Sequence, residues 1–261
     1  MTIRRSLPLL WPALAIALLT ACGGGGSNAP TPASPAPNVY VAGYTTDANG
    51  VDHACYWLDG KPQSLEGADH ESRANSITVS GGKVLVAGYQ DYDGSKFYRA
   101  VLWQDGKATY LDPGSLQKSM AWKVLVSGTT IYVPFAEGMP YESPYLWKDD
   151  GSITVLPTTD GGAPFSMATD GTTTLIAGRT KTGATYWKNN TDFYLDSNGG
   201  VWDVAYDGKD AYFGGYFVEA GHSYPGPAIW RNSARTMLPY TTSGGVKAVV
   251  LSGSDLYAAG T

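Results

Sequence analysis

The hexapeptide Tyr56-Trp57-Leu58-Asp59-Gly60-Lys61 comes back four more times along this 261-residue chain. It returns as Leu102-Trp103-Gln104-Asp105-Gly106-Lys107, Leu146-Trp147-Lys148-Asp149-Asp150-Gly151, Tyr186-Trp187-Lys188-Asn189-Asn190 and Ile229-Trp230-Arg231-Asn232. The tryptophans stand 46, 44, 40 and 43 residues apart, and a leucine follows each shortly: Leu65, Leu111, Leu156, Leu195 and Leu238. Upstream of each tryptophan lies an apolar stretch ending in small residues. It reads Val39-Tyr40-Val41-Ala42-Gly43-Tyr44, Val84-Leu85-Val86-Ala87-Gly88-Tyr89, Ile131-Tyr132-Val133-Pro134-Phe135, Thr174-Leu175-Ile176-Ala177-Gly178 and Ala211-Tyr212-Phe213-Gly214-Gly215-Tyr216, with Leu256-Tyr257-Ala258-Ala259-Gly260 closing the chain. A third unit precedes every later copy of that stretch and ends in a turn, as in Ser76-Ile77-Thr78-Val79-Ser80-Gly81-Gly82 and Val249-Val250-Leu251-Ser252-Gly253. Glycine supplies the positive φ that tight hairpins need.

Each period therefore holds four short strands with β-branched and aromatic residues and no helical periodicity. Four strands in a repeat of about 40 to 50 residues is the pattern of an all-β protein, a β-propeller of four-stranded blades. A tryptophan at one fixed place per sheet suits this architecture, because bulky flat side chains fill the widening gap between sheets stacked around an axis. The first repeat lacks its opening strand and the C-terminal stretch 248–252 supplies a surplus one. Joining the two gives five blades, which we favour; the alternative is that the chain stops inside an incomplete sixth blade that wants a further tryptophan unit.

The repeat units resemble a bacterial family of propeller-like proteins with Val-Tyr-Val-Ala-Gly-Tyr and Tyr-Trp-Lys-Asn-Gly motifs, and are similar to the shorter HAF-type repeat. The resemblance spans residues 39–261. It implies repeat architecture and supplies no catalytic residues, since that family is largely uncharacterised.

The N-terminus reads differently. Arg4 and Arg5 precede an apolar run from Leu7 to Leu19, too short for comfortable spanning, and small residues follow. Residues 1–21 are thus expected to be a signal peptide. Its exit, Leu19-Thr20-Ala21-Cys22, resembles the lipobox of bacterial lipoproteins. The resemblance implies diacylglyceryl and acyl groups on Cys22, and two or more chains anchor stably where one does not. Residues 22–37 are then the lipidated cysteine and a flexible Gly/Pro/Ser linker, and residues 38–261 the propeller domain. Gly23 follows Cys22 where some inner-membrane lipoproteins carry Asp, which implies an outer-membrane lipoprotein facing the periplasm or the cell surface.

With Cys22 acylated, Cys55 is the one thiol left, expected buried and structural. A net charge of -5 and a pI near 5.1 argue against a nucleic-acid partner. The histidines His53, His70 and His222 fall in different repeats without ligand spacing, and Gly-x-Ser-x-Gly, phosphate-loop and dinucleotide motifs are absent. Asp47-Ala48-Asn49-Gly50-Val51-Asp52 and Asp91-Tyr92-Asp93-Gly94 faintly resemble calcium loops, but hairpin turns explain them better. No metal or cofactor is expected. Asp69-His70-Glu71, Asp203, Glu137 and Glu219 are read as solvated loop groups rather than acid–base catalysts.

Binding belongs at the end of the propeller that carries the variable loops 45–53, 90–98, 136–143, 180–184 and 217–227. Aligning the repeats at the start of the innermost strand puts Asn75, Trp122, Phe165, Trp202 and Lys247 in equivalent positions near the channel mouth. Those five, with Tyr92, Tyr141 and Tyr224 in the variable loops, are the candidate ligand-binding residues; packing between blades is the competing role for the aromatic ones. The expected function is a lipid-anchored envelope module that binds a protein or glycan, with a polysaccharide-active enzyme or a purely structural component as the alternatives. Labelling with a palmitate analogue should be lost in Cys22→Ser, and persistent labelling of that variant contradicts the anchor.

Overall fold

The computed structural model describes residues 37–111, 117–138 and 142–261, so the leader, Cys22, most of the linker and Tyr141 lie outside the described residues. Every regular element described is a β-strand, and neighbouring strands pair antiparallel in six sheets. Sheet one holds β1 (Tyr40–Thr46), β2 (Asp52–Leu58) and β3 (Lys61–Ser64). Sheet two runs β4 (Ser72–Ser80), β5 (Lys83–Asp91), β6 (Tyr98–Gln104) and β7 (Lys107–Tyr110). In sheet three the innermost strand is broken into β8 (Ser119–Ala121) and β9 (Leu125–Ser127), beside β10 (Thr130–Glu137), β11 (Ser143–Lys148) and β12 (Ile153–Val155). Sheet four is β13 (Gly162–Thr169), β14 (Thr174–Thr180), β15 (Gly183–Lys188) and β16 (Thr191–Asp196). Sheet five is β17 (Gly199–Tyr206), β18 (Ala211–Phe217), β19 (Gly226–Arg231) and β20 (Ala234–Met237). Sheet six is the hairpin β21 (Val246–Ser252) and β22 (Asp255–Gly260). Each sheet packs against the innermost strand of the next, which is the stacking of propeller blades.

The tryptophan unit explains that stacking. Trp103, Trp187 and Trp230 are fully buried, each facing the preceding sheet. Their indole N–H groups donate backwards: Trp103 to the Glu66 carbonyl at 3.0 Å, Trp187 to the Pro157 carbonyl at 2.7 Å and Trp230 to the Asp196 carboxylate at 3.2 Å. These acceptors directly follow Leu65, Leu156 and Leu195, so the two recurring residues of neighbouring repeats interlock across a sheet boundary. A buried indole keeps its apolar body in the core and satisfies its one donor.

Recurring polar residues hold the hairpins. Asp59, Asp105, Asn189 and Asn232 adopt φ of 48–55° at the turn after the tryptophan strand, a conformation that Asp and Asn tolerate. Their side-chain oxygens, with that of Asp149, accept the N–H of Val39, Val84, Thr174, Ala211 and Ile131 at 2.8–3.2 Å. Serines tie sheets together: Ala54 N–H donates to Ser72 Oγ and Ala100 N–H to Ser119 Oγ. Where the donor is replaced by Pro144, the matching serine becomes Gly162.

The glycine of each Ala-Gly unit has a steric cause. The innermost strands carry a bulge after Ala74, Pro164, Val201 and Val246. There the inner strand presses its backbone onto the next one. A Cβ on Gly88, Gly178, Gly215 or Gly260 would lie 2.0–2.2 Å from a carbonyl oxygen of that strand. Sheet three places Phe135 at this position, opposite Ala121, and there the inner strand is interrupted rather than bulged.

The favoured closure into five blades is not what pairs: β1-β2-β3 and β21-β22 form separate sheets. β21 pairs with β22 and packs on sheet five through Val246 and Val249, which approach Gly214. A hairpin turn at Gly253, with φ of 60°, makes that local pairing easier than bridging to β1. The outward faces of the terminal sheets stay open: Val41 is 50 % exposed and Tyr257 56 %. Among the described residues no helix is long and apolar enough to cross a membrane. Trp103→Ala should cost about 3–5 kcal/mol in urea unfolding. Trp57→Ala, on the open face of sheet one and only partly buried, should cost clearly less; equal losses contradict the interlocking.

Candidate functional site

The bulges place the site. Asn75, Phe165, Trp202 and Lys247 are the residues skipped in register between the first and second strands of sheets two, four, five and six. Trp122 falls in the equivalent gap between β8 and β9. A bulge leaves its extra residue out of the ladder and re-aims it, here toward one end of the stack. Contacts link parts of this series. Asn75 Nδ2 donates to the Ala121 carbonyl at 2.8 Å. Trp122 and Phe165 meet edge to face at 5.4 Å between ring centres. The Lys247 ammonium sits 3.1 Å from the centre of the Trp202 ring, a cation–π contact. Burial lowers the Lys247 pKa.

Phe165 and Trp202 line one cavity of about 430 Å³ with Arg179, Tyr216 and Pro225. Trp202 and Tyr216 lie 4.9 Å apart, tilted by 41°, and all three rings are part-exposed. Two glycines admit these rings. A Cβ on Gly245 would come within 2.3 Å of the Trp202 ring and one on Gly200 within 2.8 Å of the Tyr216 ring. Arg179 and Tyr216 also border a second cavity of about 500 Å³ with Glu142, Asp160, Lys181 and Asn198. Burial raises the pKa of Glu142, and the charge of Arg179 only partly offsets it. One Asp160 carboxylate oxygen is buried without a hydrogen-bond partner.

Other candidates stand apart. Tyr92 is exposed and packs edge-on against Tyr110, on the outer strand of sheet two. Tyr224 joins a cluster with His222 and Tyr240 next to Pro225, extending the aromatic surface at the same end. Tyr141 is outside the described residues. The Asp47 carboxylate accepts N–H groups of Asn49 and Val51, and that of Asp91 those of Gly94 and Lys96, so both loops spend these oxygens on their own backbone. Glu71 is held by Tyr98 and Glu219 by Tyr240. Asp203 accepts from Ser166 Oγ at 2.5 Å and from Val249 N–H at 2.9 Å, binding sheets four, five and six together. Cys55 is buried, and burial pushes its thiol pKa up.

Phe165 and Trp202, grouped from the repeat alignment, line one of these cavities, and Arg179, Tyr216, Glu142 and Asp160 join the candidate residues from the structure. Arg179 had a legible signal. It directly follows the repeat glycine, where Tyr44, Tyr89 and Tyr216 stand in other copies.

This geometry defines an all-β propeller fold. No protein-family profile and no curated protein matches the chain. Among solved structures it is similar to the extracellular domain of a one-component system from B. thetaiotaomicron (TM-score 0.50, 13 % identity, 86 % of this chain and 32 % of that one). It is also similar to the sialidase of Trypanosoma rangeli with a difluoro-KDN inhibitor (0.50, 12 %, 82 % and 47 %), and to a GH43 endo-arabinanase of Bacillus licheniformis (0.39, 10 %, 65 % and 82 %). The chain spans about a third of the Bacteroides domain and about half of the sialidase. The likeness is one of fold, and the neighbours are β-propellers.

Asp203→Ala should cost about 1–3 kcal/mol in denaturant unfolding, the cost of stranding buried donors. Unchanged stability in that variant contradicts its role as a tie between sheets.

Proposed function

We propose that the protein is a lipid-anchored cell-envelope module that binds glycan at the loop end of its propeller. The observation that carries this reading is the cavity in which Phe165, Trp202 and Tyr216 present part-exposed rings beside Arg179. Aromatic faces are apolar platforms with positive edges. A sugar ring can lay its C–H face on them while its hydroxyls reach polar neighbours such as Asn198 and Arg179 in the adjoining cavity. Ligand sites are typically concave, mostly apolar and carry a few orienting polar groups. Cys22 and the linker would tether this body to the outer membrane, facing the periplasm or the cell surface.

A second reading is a polysaccharide-active enzyme. Glu142 and Asp160 line the adjoining cavity, and burial raises the pKa of the Glu142 carboxyl, the direction a general acid requires. Turnover of a polysaccharide that disappears in Glu142→Gln supports it.

Full-length protein on a glycan array should bind a defined subset of oligosaccharides. Trp202→Ala should weaken that binding about tenfold or more while keeping the all-β circular dichroism spectrum. Binding unaffected by Trp202→Ala contradicts this site.

A further inference from the structure

We infer that the Phe165–Arg179–Trp202–Tyr216 cavity takes an acidic sugar, its carboxylate paired with Arg179 and its ring face laid on Trp202 and Tyr216. This rests on the glycan reading above and narrows it to carboxylate-bearing residues such as uronates.

Three observations carry it. First, Arg179 is the single charged residue lining this cavity, and its side chain is exposed. Its guanidinium makes no hydrogen bond or ion pair among the described residues, although it feels the charge of Glu142 across the adjoining cavity. A guanidinium is a planar fork of donors that matches a carboxylate through two parallel hydrogen bonds. Second, a further cation stands at the rim, since Lys247 lies over Trp202. Two positive groups thus flank the aromatic platform in a chain whose net charge is -5. Third, Arg179 interrupts the repeat. The equivalent residues are Tyr44, Tyr89, Ala136, Tyr216 and Thr261, none of them charged, so the other sheets are built without a guanidinium at this position.

The test uses full-length protein and an array that pairs each uronate or other carboxylate-bearing oligosaccharide with its neutral methyl ester. Affinities for the hits are then measured by calorimetry. The acid form should bind about tenfold to a hundredfold tighter than its ester, the range of a charge-assisted hydrogen bond. Arg179→Ala should remove most of that difference, weakening the acid about tenfold or more beyond whatever the ester loses, and Arg179→Lys should restore part of it. Trp202→Ala should weaken acid and ester alike. Equal binding of acid and ester, or an acid preference that survives Arg179→Ala, overturns the acidic-sugar inference and leaves the glycan reading standing. Binding of no member of any pair overturns both.

Discussion

A backbone carbonyl pressed onto a glycine organises this protein. In four sheets the innermost strand bulges, and its carbonyl comes so close to the second strand that no side chain fits opposite. Overpacking of this kind typically costs about 1–3 kcal/mol. The Ala-Gly motif is therefore a record of strand geometry. The same bulge throws one residue per sheet out of the ladder and lines those residues up at one end. Scaffold and site share a single cause.

The tryptophans supply rigidity around that geometry. Each buried indole inserts its ring into the boundary with the preceding sheet and spends its donor just past the leucine of that sheet. Neighbouring sheets are thus locked in register by a hydrogen bond as well as by apolar burial, which is non-directional on its own. A platform made from residues of sheets four, five and six depends on that register, because Phe165, Trp202 and Lys247 come from three different sheets. Asp203 works to the same end from inside, joining those three sheets through Ser166 and Val249.

Much of the fold was legible because repetition multiplies weak signals. One Trp-Leu pair means little, but five at near-constant spacing specify a stack of sheets. The alignment that grouped Asn75, Trp122, Phe165, Trp202 and Lys247 worked for the same reason, and the structure shows the bulge behind it. Blade closure was not legible, since whether β21 joins β1 or folds back on β22 depends on long-range geometry that no local motif encodes. Arg179 and Tyr216 follow the repeat glycine, and no local motif says that they share a cavity. Glu142 and Asp160 lie in non-repeating connections, where only the folded chain reveals which loops share a cavity.

The most direct test compares the unfolding free energies of Gly215→Ala and Gly43→Ala. At Gly215 the added carbon would meet the Gly200 carbonyl at 2.0 Å, whereas Gly43, in a sheet without an inner strand, meets only the edge of the Trp57 ring at 3.0 Å. The account predicts a substantially larger loss of stability for Gly215→Ala. Equal losses, or a greater loss at Gly43, would contradict it.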